Sequence, residues 1–364
     1  MPRRSRPDMI LLWAILALLS IGVIMVYSSS AVKGYLQYND PYHFLKMEGI
    51  WVTLGLAAMV LSMRLDLRLL RKWAKPALYL AIVLLIMVKI PGVGRKVNGA
   101  DRWIGLGPLS VQPSEIIKLA MVLVMSHILA LQPYKIRSFR KGLLPVLGLL
   151  GLIAGLIMLQ PDLGTTLVIA GTTFFMLIAA GARAGHLTAL GGAGLFLVVA
   201  AIAAAPYRMR RILAFLDPWA DPSGKGYQTI QALLALGPGG LFGLGLGHSK
   251  QKFLYLPENH TDFIFAMIGE ELGFIGATLV VLLFFLFAWR GFKVAMGAAD
   301  AFSGLLAVGL TSMVVIQAMV NMGVVSGVLP VTGITLPFLS YGGTSLVFTL
   351  LGVGVLLNIS REAR

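Results

Sequence analysis

The sequence predicts an all-α polytopic membrane protein with about ten transmembrane helices, and three observations predict it. Hydrophobic residues make up 58% of the 364 residues and charged residues 12%, against about 45–50% and 25% in soluble domains. Mean hydropathy is +0.86. Apolar runs close to the ~20 residues that cross a hydrocarbon core recur along the whole chain. Together these exclude a soluble globular domain and a disordered chain.

The first run, 9–28, follows Arg3, Arg4 and Arg6. It is longer than a secretory h-region and further spans follow, so it reads as a retained anchor. Runs over 44–63, 74–90 and 114–131 come next. The runs 143–159 and 165–181 are separated at Gln160-Pro161-Asp162-Leu163-Gly164, where Pro161 lacks a backbone donor and favours a break. The run 187–205 leads into the longest connection, 206–260, and the spans 261–289, 303–325 and 340–359 complete the set. Residues 1–364 read as a single membrane domain that includes the long loop. No internal repeat is visible, which disfavours transporter folds built from inverted halves.

Charge orients these spans. The formal charge is +15, from 30 Lys and Arg against 15 Asp and Glu. No basic domain lies outside the membrane segments, which argues against nucleic acid, whereas an anionic lipid matches the charge. Cations cluster at Arg3–Arg6, Arg64–Lys75, Lys135–Lys141 and Arg290–Lys293. The positive-inside rule then places both termini in the cytoplasm and segments 91–113 and 206–260 outside. The absence of cysteine excludes disulfides, zinc–thiolate sites, iron–sulfur clusters and a cysteine nucleophile.

Charges at membrane depth are costly and so are functional candidates. Asp262 opens the eighth span within Pro257-Glu258-Asn259-His260-Thr261-Asp262-Phe263; it suits a helix N-cap or a general base at the outer mouth of a cavity. Glu115 and Lys118, three apart, share a helix face as a structural ion pair or a polar patch on a cavity. Asp162 is a turn residue or, with a second carboxylate, a cation ligand. Arg208, Arg210 and Arg211 precede Ile212, Leu213, Phe215 and Leu216, an interfacial amphipathic helix that snorkels or binds a pyrophosphate. Lys250 and Lys252 add charge to the same loop. The glycine run from Gly237 to Gly247 lacks the strand–helix context of a nucleotide loop and reads as irregular backbone over the membrane surface. Glu270 and Glu271 lie about 12–14 Å along their span, deep enough to pair with a buried base, serve a proton path or form a satisfied structural pair. Asn321, Pro330, Pro337, Ser340, Tyr341, Gly342, Gly343 and Ser345 form a polar, broken region that is an outer hairpin or lines a cavity.

These motifs, in order, resemble the SEDS proteins (shape, elongation, division and sporulation), the FtsW, RodA and SpoVE group. The matching stretches are Asn98-Gly99 through Arg102-Trp103-Ile104, Gln112-Pro113-Ser114-Glu115 with Lys118, and Gln160-Pro161-Asp162-Leu163-Gly164-Thr165. They continue with Leu216-Asp217-Pro218, His260-Thr261-Asp262-Phe263-Ile264, Glu270-Glu271-Leu272-Gly273, and Leu329-Pro330 to Ser340-Tyr341-Gly342-Gly343. The resemblance runs from about residue 8 to 362 and is strongest to the division and sporulation branch.

The resemblance implies a bacterial cell-membrane enzyme that polymerises lipid II into glycan strands on the outer face, with undecaprenyl pyrophosphate as leaving group. It implies a class B penicillin-binding protein as partner. The family's essential aspartate matches Asp262, and its paired Glu and Lys match Glu115 and Lys118. The residues read as substrate-binding are Arg102, Glu115, Lys118, Asp162, Arg208, Arg210, Arg211, Lys250, Lys252, His260 and Ser340. A divalent cation, Mg or Mn, is the one cofactor expected, to assist the leaving group. Two rival readings are a lipid II flippase, which needs a polar path across the bilayer, and a noncatalytic scaffold of a cell-wall synthase.

Overall fold

In lipid a backbone group finds no water, so a spanning segment satisfies its own hydrogen bonds as a helix. The computed structural model describes residues 6–97, 100–105, 110–131, 133–224, 226–253 and 255–362. Arg3, Arg4, Asn98 and Gly99, used above, lie outside them. Each of the ten apolar runs contains a helix: α1 (Met9–Tyr38), α2 (His43–Ser62), α3 (Leu67–Met87), α4 (Pro113–Leu131), α5 (Leu144–Met158), α6 (Leu163–Ala179), α7 (Ala184–Ala203), and then α10 (Ile264–Met296), α11 (Ala301–Val325) and α12 (Thr344–Ser360). Among the described residues seven helices are both long and apolar enough to cross a membrane. The shorter α6 and α12 have 17 residues each, and α3 opens on a basic segment.

The long loop is not structureless. It holds the amphipathic α8 (Pro206–Leu216) and α9 (Tyr227–Leu236), whose Ile230, Ala232 and Ala235 are buried. Segment 91–113 carries a short antiparallel hairpin, β1 (Gly94–Val97) with β2 (Ala100–Ile104), the sole sheet among the described residues. One apolar core gathers α1, α10, α11 and α12; a second gathers α3, α4, α5 and α6. Small residues let helices meet closely. A side chain at Gly354 of α12 would begin 2.0 Å from the Ser62 hydroxyl of α2, which no larger residue tolerates. At the end opposite Asp262, the Asp8 carboxylate caps α1 and pairs with Arg290 of α10.

Two features depart from the expectation. Helix α1 continues to Tyr38, well beyond residue 28. Helix α10 is broken at Gly273 (φ 67°, ψ −165°), and the glycine run docks into the break. Leu244 and Gly245 donate to the Glu270 and Glu271 carbonyls (2.9 and 3.0 Å), and Phe274 and Ile275 donate to the Gly240 and Leu241 carbonyls (2.8 and 3.2 Å). The run therefore replaces hydrogen bonds that the broken helix gives up, as irregular backbone at this depth requires. A side chain at Gly243 would begin 2.1 Å from the Glu271 carbonyl oxygen, so this close approach needs glycine.

Candidate active site

Asp262 lies just before α10, and its place is set by three consecutive main-chain carbonyls. The His260 carbonyl accepts from the Tyr341 amide (2.9 Å). The Thr261 carbonyl accepts from the Ser340 hydroxyl (2.6 Å), which itself accepts from the Leu336 amide (2.8 Å). The Asp262 carbonyl accepts from the Asn321 side-chain amide (2.8 Å). Segment 260–262 is thus laced to α11 and to the chain between α11 and α12. Gly333 in that chain has φ 77°, and a side chain there would begin 3.6 Å from Asp262 Oδ2.

The N-cap reading of Asp262 is corrected: the cap position of α10 is Phe263, with no side-chain cap bond. Among the described residues no hydrogen-bond donor or ion-pair partner holds the Asp262 carboxylate. Burial, with smaller contributions from Glu258 and Asp162 and against the pull of Arg102 and Arg211, pushes its pKa up to about 7. A half-buried carboxylate with no fixed donor, tuned close to neutrality, is poised to take a proton.

Asp162 caps α6, accepting from the Thr165 amide and hydroxyl (both 3.0 Å). Arg102 reaches from β2 to the Gln160 and Pro161 carbonyls (2.9 and 2.6 Å) and lies 3.8 Å from Asp162. The hairpin thus delivers a guanidinium to the carboxylates. On the other side Arg211 of α8 donates to the Val331 carbonyl (3.3 Å) and Arg208 to the Ala201 carbonyl (2.8 Å). Both line a cavity of about 330 Å³ walled by Pro161, Leu163, Leu167, Val198, Ile202, Ile212, Val320 and Leu329–Thr332. Its other walls are mostly apolar, and of its two cations Arg211 is near enough to Asp262 to act on its carboxylate.

Glu115 and Lys118 form the expected pair, at 2.8 Å and almost fully buried. They belong to a closed polar ring. Lys118 donates to Gln317 Oε1 (2.6 Å), Gln317 donates to the Thr335 carbonyl (3.0 Å), the Thr335 and Ser345 hydroxyls lie 3.5 Å apart, and Ser345 donates to Glu115 (3.0 Å). Every member finds a partner, which is what makes burying such a set tolerable.

Other candidates lie apart from this centre. Arg210 is exposed on α8. Lys250 and Lys252 sit against the α10 break, where the Lys250 amide donates to Glu270 (2.8 Å) and the Lys252 ammonium to the Gly247 carbonyl. His260 is buried between Phe44 and Tyr341, its Nδ1 3.0 Å from Asn259 Oδ1. Burial, with Lys33 nearby, pushes its imidazole down to about 3, so it is neutral. The Ser340 hydroxyl is spent on main-chain bonds. Glu270 and Glu271 do not pair with a buried base among the described residues. Glu271 accepts from the Ser28 hydroxyl (2.8 and 2.7 Å), and Glu270 from the Ser249 hydroxyl (2.5 Å). They anchor the docked loop.

Sequence reasoning missed Gln317 and Gly333. Gln317 had a signal: it lies four residues before Asn321 in an otherwise apolar helix, hence on the same face. Gly333 had none, because its role depends on a neighbour distant in the chain.

The fold and site define a multi-pass membrane protein with a carboxylate-centred site at one end of its helix bundle. A family model described as cell cycle protein, of FtsW, RodA and SpoVE, matches residues 9–364, and the chain belongs to that family. It is 50% identical over 362 residues to stage V sporulation protein E of Bacillus subtilis, covering 100% of this chain and 99% of the relative. It is 44% identical over 358 residues to the probable peptidoglycan glycosyltransferase FtsW of Trichlorobacter lovleyi, covering 98% and 94%. In structure it is similar to a chain of a peptidoglycan synthase complex that coordinates polymerization and crosslinking (32% identity, TM-score 0.79, 98% of both chains). It is also similar to the rod shape determining protein RodA of Thermus thermophilus (32% identity, TM-score 0.73, 98% and 97%).

Proposed function

We propose that this chain is a peptidoglycan glycosyltransferase that polymerises lipid II at the outer face of the bacterial cell membrane, with a class B penicillin-binding protein as partner. The observation that carries the reading is the Asp262 carboxylate: it has no donor among the described residues, it is tuned near neutrality, and it lies beside Arg102, Arg211 and a mostly apolar cavity. Family membership and the likeness to a peptidoglycan synthase chain support it.

The acceptor sugar's 4-hydroxyl attacks the anomeric carbon of the lipid-linked strand. The new C–O bond forms as the bond to undecaprenyl pyrophosphate breaks, and inversion turns an α-linked donor into a β-1,4 link. Asp262 takes the hydroxyl proton, which asks for a base with a pKa near the working pH. Arg208, Arg211 and Arg102 face the charge that grows on the departing pyrophosphate, where guanidinium geometry allows bidentate bonds. The cavity accepts the start of the prenyl chain while the rest stays in lipid. Asp262, whose proton affinity the nearby Asp162 raises, would with Asp162 hold a divalent cation such as Mg or Mn; such hard cations bind one or two carboxylates and keep waters. The ion would add positive charge against the leaving group. The basic segments Arg64–Lys75 and Lys135–Lys141 support cytoplasmic termini.

The test is strand synthesis from lipid II by the purified chain with its class B partner. Asp262→Ala is expected to lower turnover by about 10²–10⁴-fold with the fold intact, and the wild-type rate is expected to rise with pH through about 7. An Asp262→Ala enzyme that polymerises normally removes the base assignment. No strands from either protein, both folded and partner-bound, moves the reading to a flippase or scaffold.

A further inference from the structure

No side-chain bond among the described residues aims the Asp262 carboxylate, so its direction is inherited from its main chain. One buried amide grips that main chain at the residue itself. Asn321 on α11 is 1% exposed, and its Nδ2 donates to two carbonyls at once, Asp262 (2.8 Å) and Ile334 (2.7 Å). Both partners are acceptors, which fixes the amide orientation. Its Oδ1 is buried and has no partner among the described residues. An orphaned buried acceptor is destabilising, and an apolar residue would suit α11 better. What accounts for this asparagine is the pair of carbonyls it grips, one of them that of Asp262 itself.

Gln317, one turn earlier on the same face, accepts from Lys118 and donates to the Thr335 carbonyl. The two amides hold Ile334 and Thr335 side by side, and Gly333 next to them forms the wall facing the Asp262 carboxylate. We propose that Asn321 is a positioning residue for Asp262, and that Gln317 braces the same wall from the buried Glu115–Lys118 ring. The proposal rests on the reading of Asp262 as the base.

A misplacement of about 1 Å costs on the order of 10²-fold in rate. Asn321→Leu, in nanodiscs with the class B partner, is expected to lower kcat about 10–100-fold while KM for lipid II moves less than about threefold, since no ligand contact is removed. Its melting temperature falls modestly, because the Asp262 and Ile334 carbonyls lose their donor while one orphaned acceptor is removed, so kcat is read at a temperature where the variant is folded. Gln317→Met shows the same kcat effect at about 3–10-fold. Amide hydrogen exchange over 260–263 and 333–336 speeds up in both variants. Wild-type kcat and exchange in Asn321→Leu overturn the proposal. So does a loss of activity that matches the fraction unfolded. Asp262→Ala, run in parallel, separates the two ideas: if it is active, the base reading falls, while exchange at 260–263 still decides whether Asn321 holds that segment.

Discussion

The two flanks of Asp262 are built on opposite plans. On one side stand α4, α11 and α12, with 67% of the most apolar window of α11 buried and a ring of five mutually satisfied polar residues between the helices. On the other stand α6, α7 and α8, where none of α7 is buried and a cavity of about 330 Å³ remains. A closed polar network inside a low-dielectric bundle is rigid because each bond polarises and restrains the next. An apolar helix with no buried face is matched to lipid. The difference teaches a division of labour: the packed flank fixes the carboxylate, and the open flank leaves room for a lipid chain.

The largest expected effect breaks the packed flank. Lys118→Met leaves Glu115 buried without its cation, a change that costs about 3–5 kcal/mol. The melting temperature in nanodiscs should fall markedly, and adding Glu115→Leu should recover much of it. An unchanged melting temperature in the single variant would show that the ring does not act as a unit.

A smaller effect sharpens the account of Asp262. Its folded pKa, pushed up to about 7, lies above the ordinary 3.8. The folded chain therefore binds this proton more tightly than the unfolded chain, and the group's contribution to stability declines as pH rises from about 4 to 7. Asp262→Asn should melt above wild type at pH 8, by up to ~4 kcal/mol of stability, and level with it at pH 4. Equal melting at both pH values would contradict the raised pKa.

The smallest effect probes the open flank. Ile202→Trp fills the cavity from α7, where little packing is disturbed. The KM for lipid II should rise roughly tenfold with melting unchanged. If KM holds and the protein is instead destabilised, the cavity is a packing feature and not a lipid seat.

Much of this was legible in the chain. Ten apolar runs became ten helices, because the need to pair backbone groups in lipid leaves a long apolar segment one structure. The Glu115–Lys118 spacing gave a real pair, and Arg208 to Leu216 gave an amphipathic helix, since both follow from helical period alone. Asp262 stood out because a carboxylate beside an apolar span is expensive.

What only the tertiary structure decided was every relation between distant segments. Asp262 proved not to be a cap, because α10 begins one residue too late for it. Glu270 and Glu271 met serines and amides instead of a base, because a glycine loop far earlier in sequence filled the break at Gly273. Asn321 and Gln317 look alike in sequence to any polar residue in an apolar helix; folding brought the carbonyls of Asp262, Ile334 and Thr335 to them. Periodicity determines which face of a helix is apolar, since that is a property of one segment. Which groups meet across the bundle depends on how many helices pack at once, and no single segment encodes it.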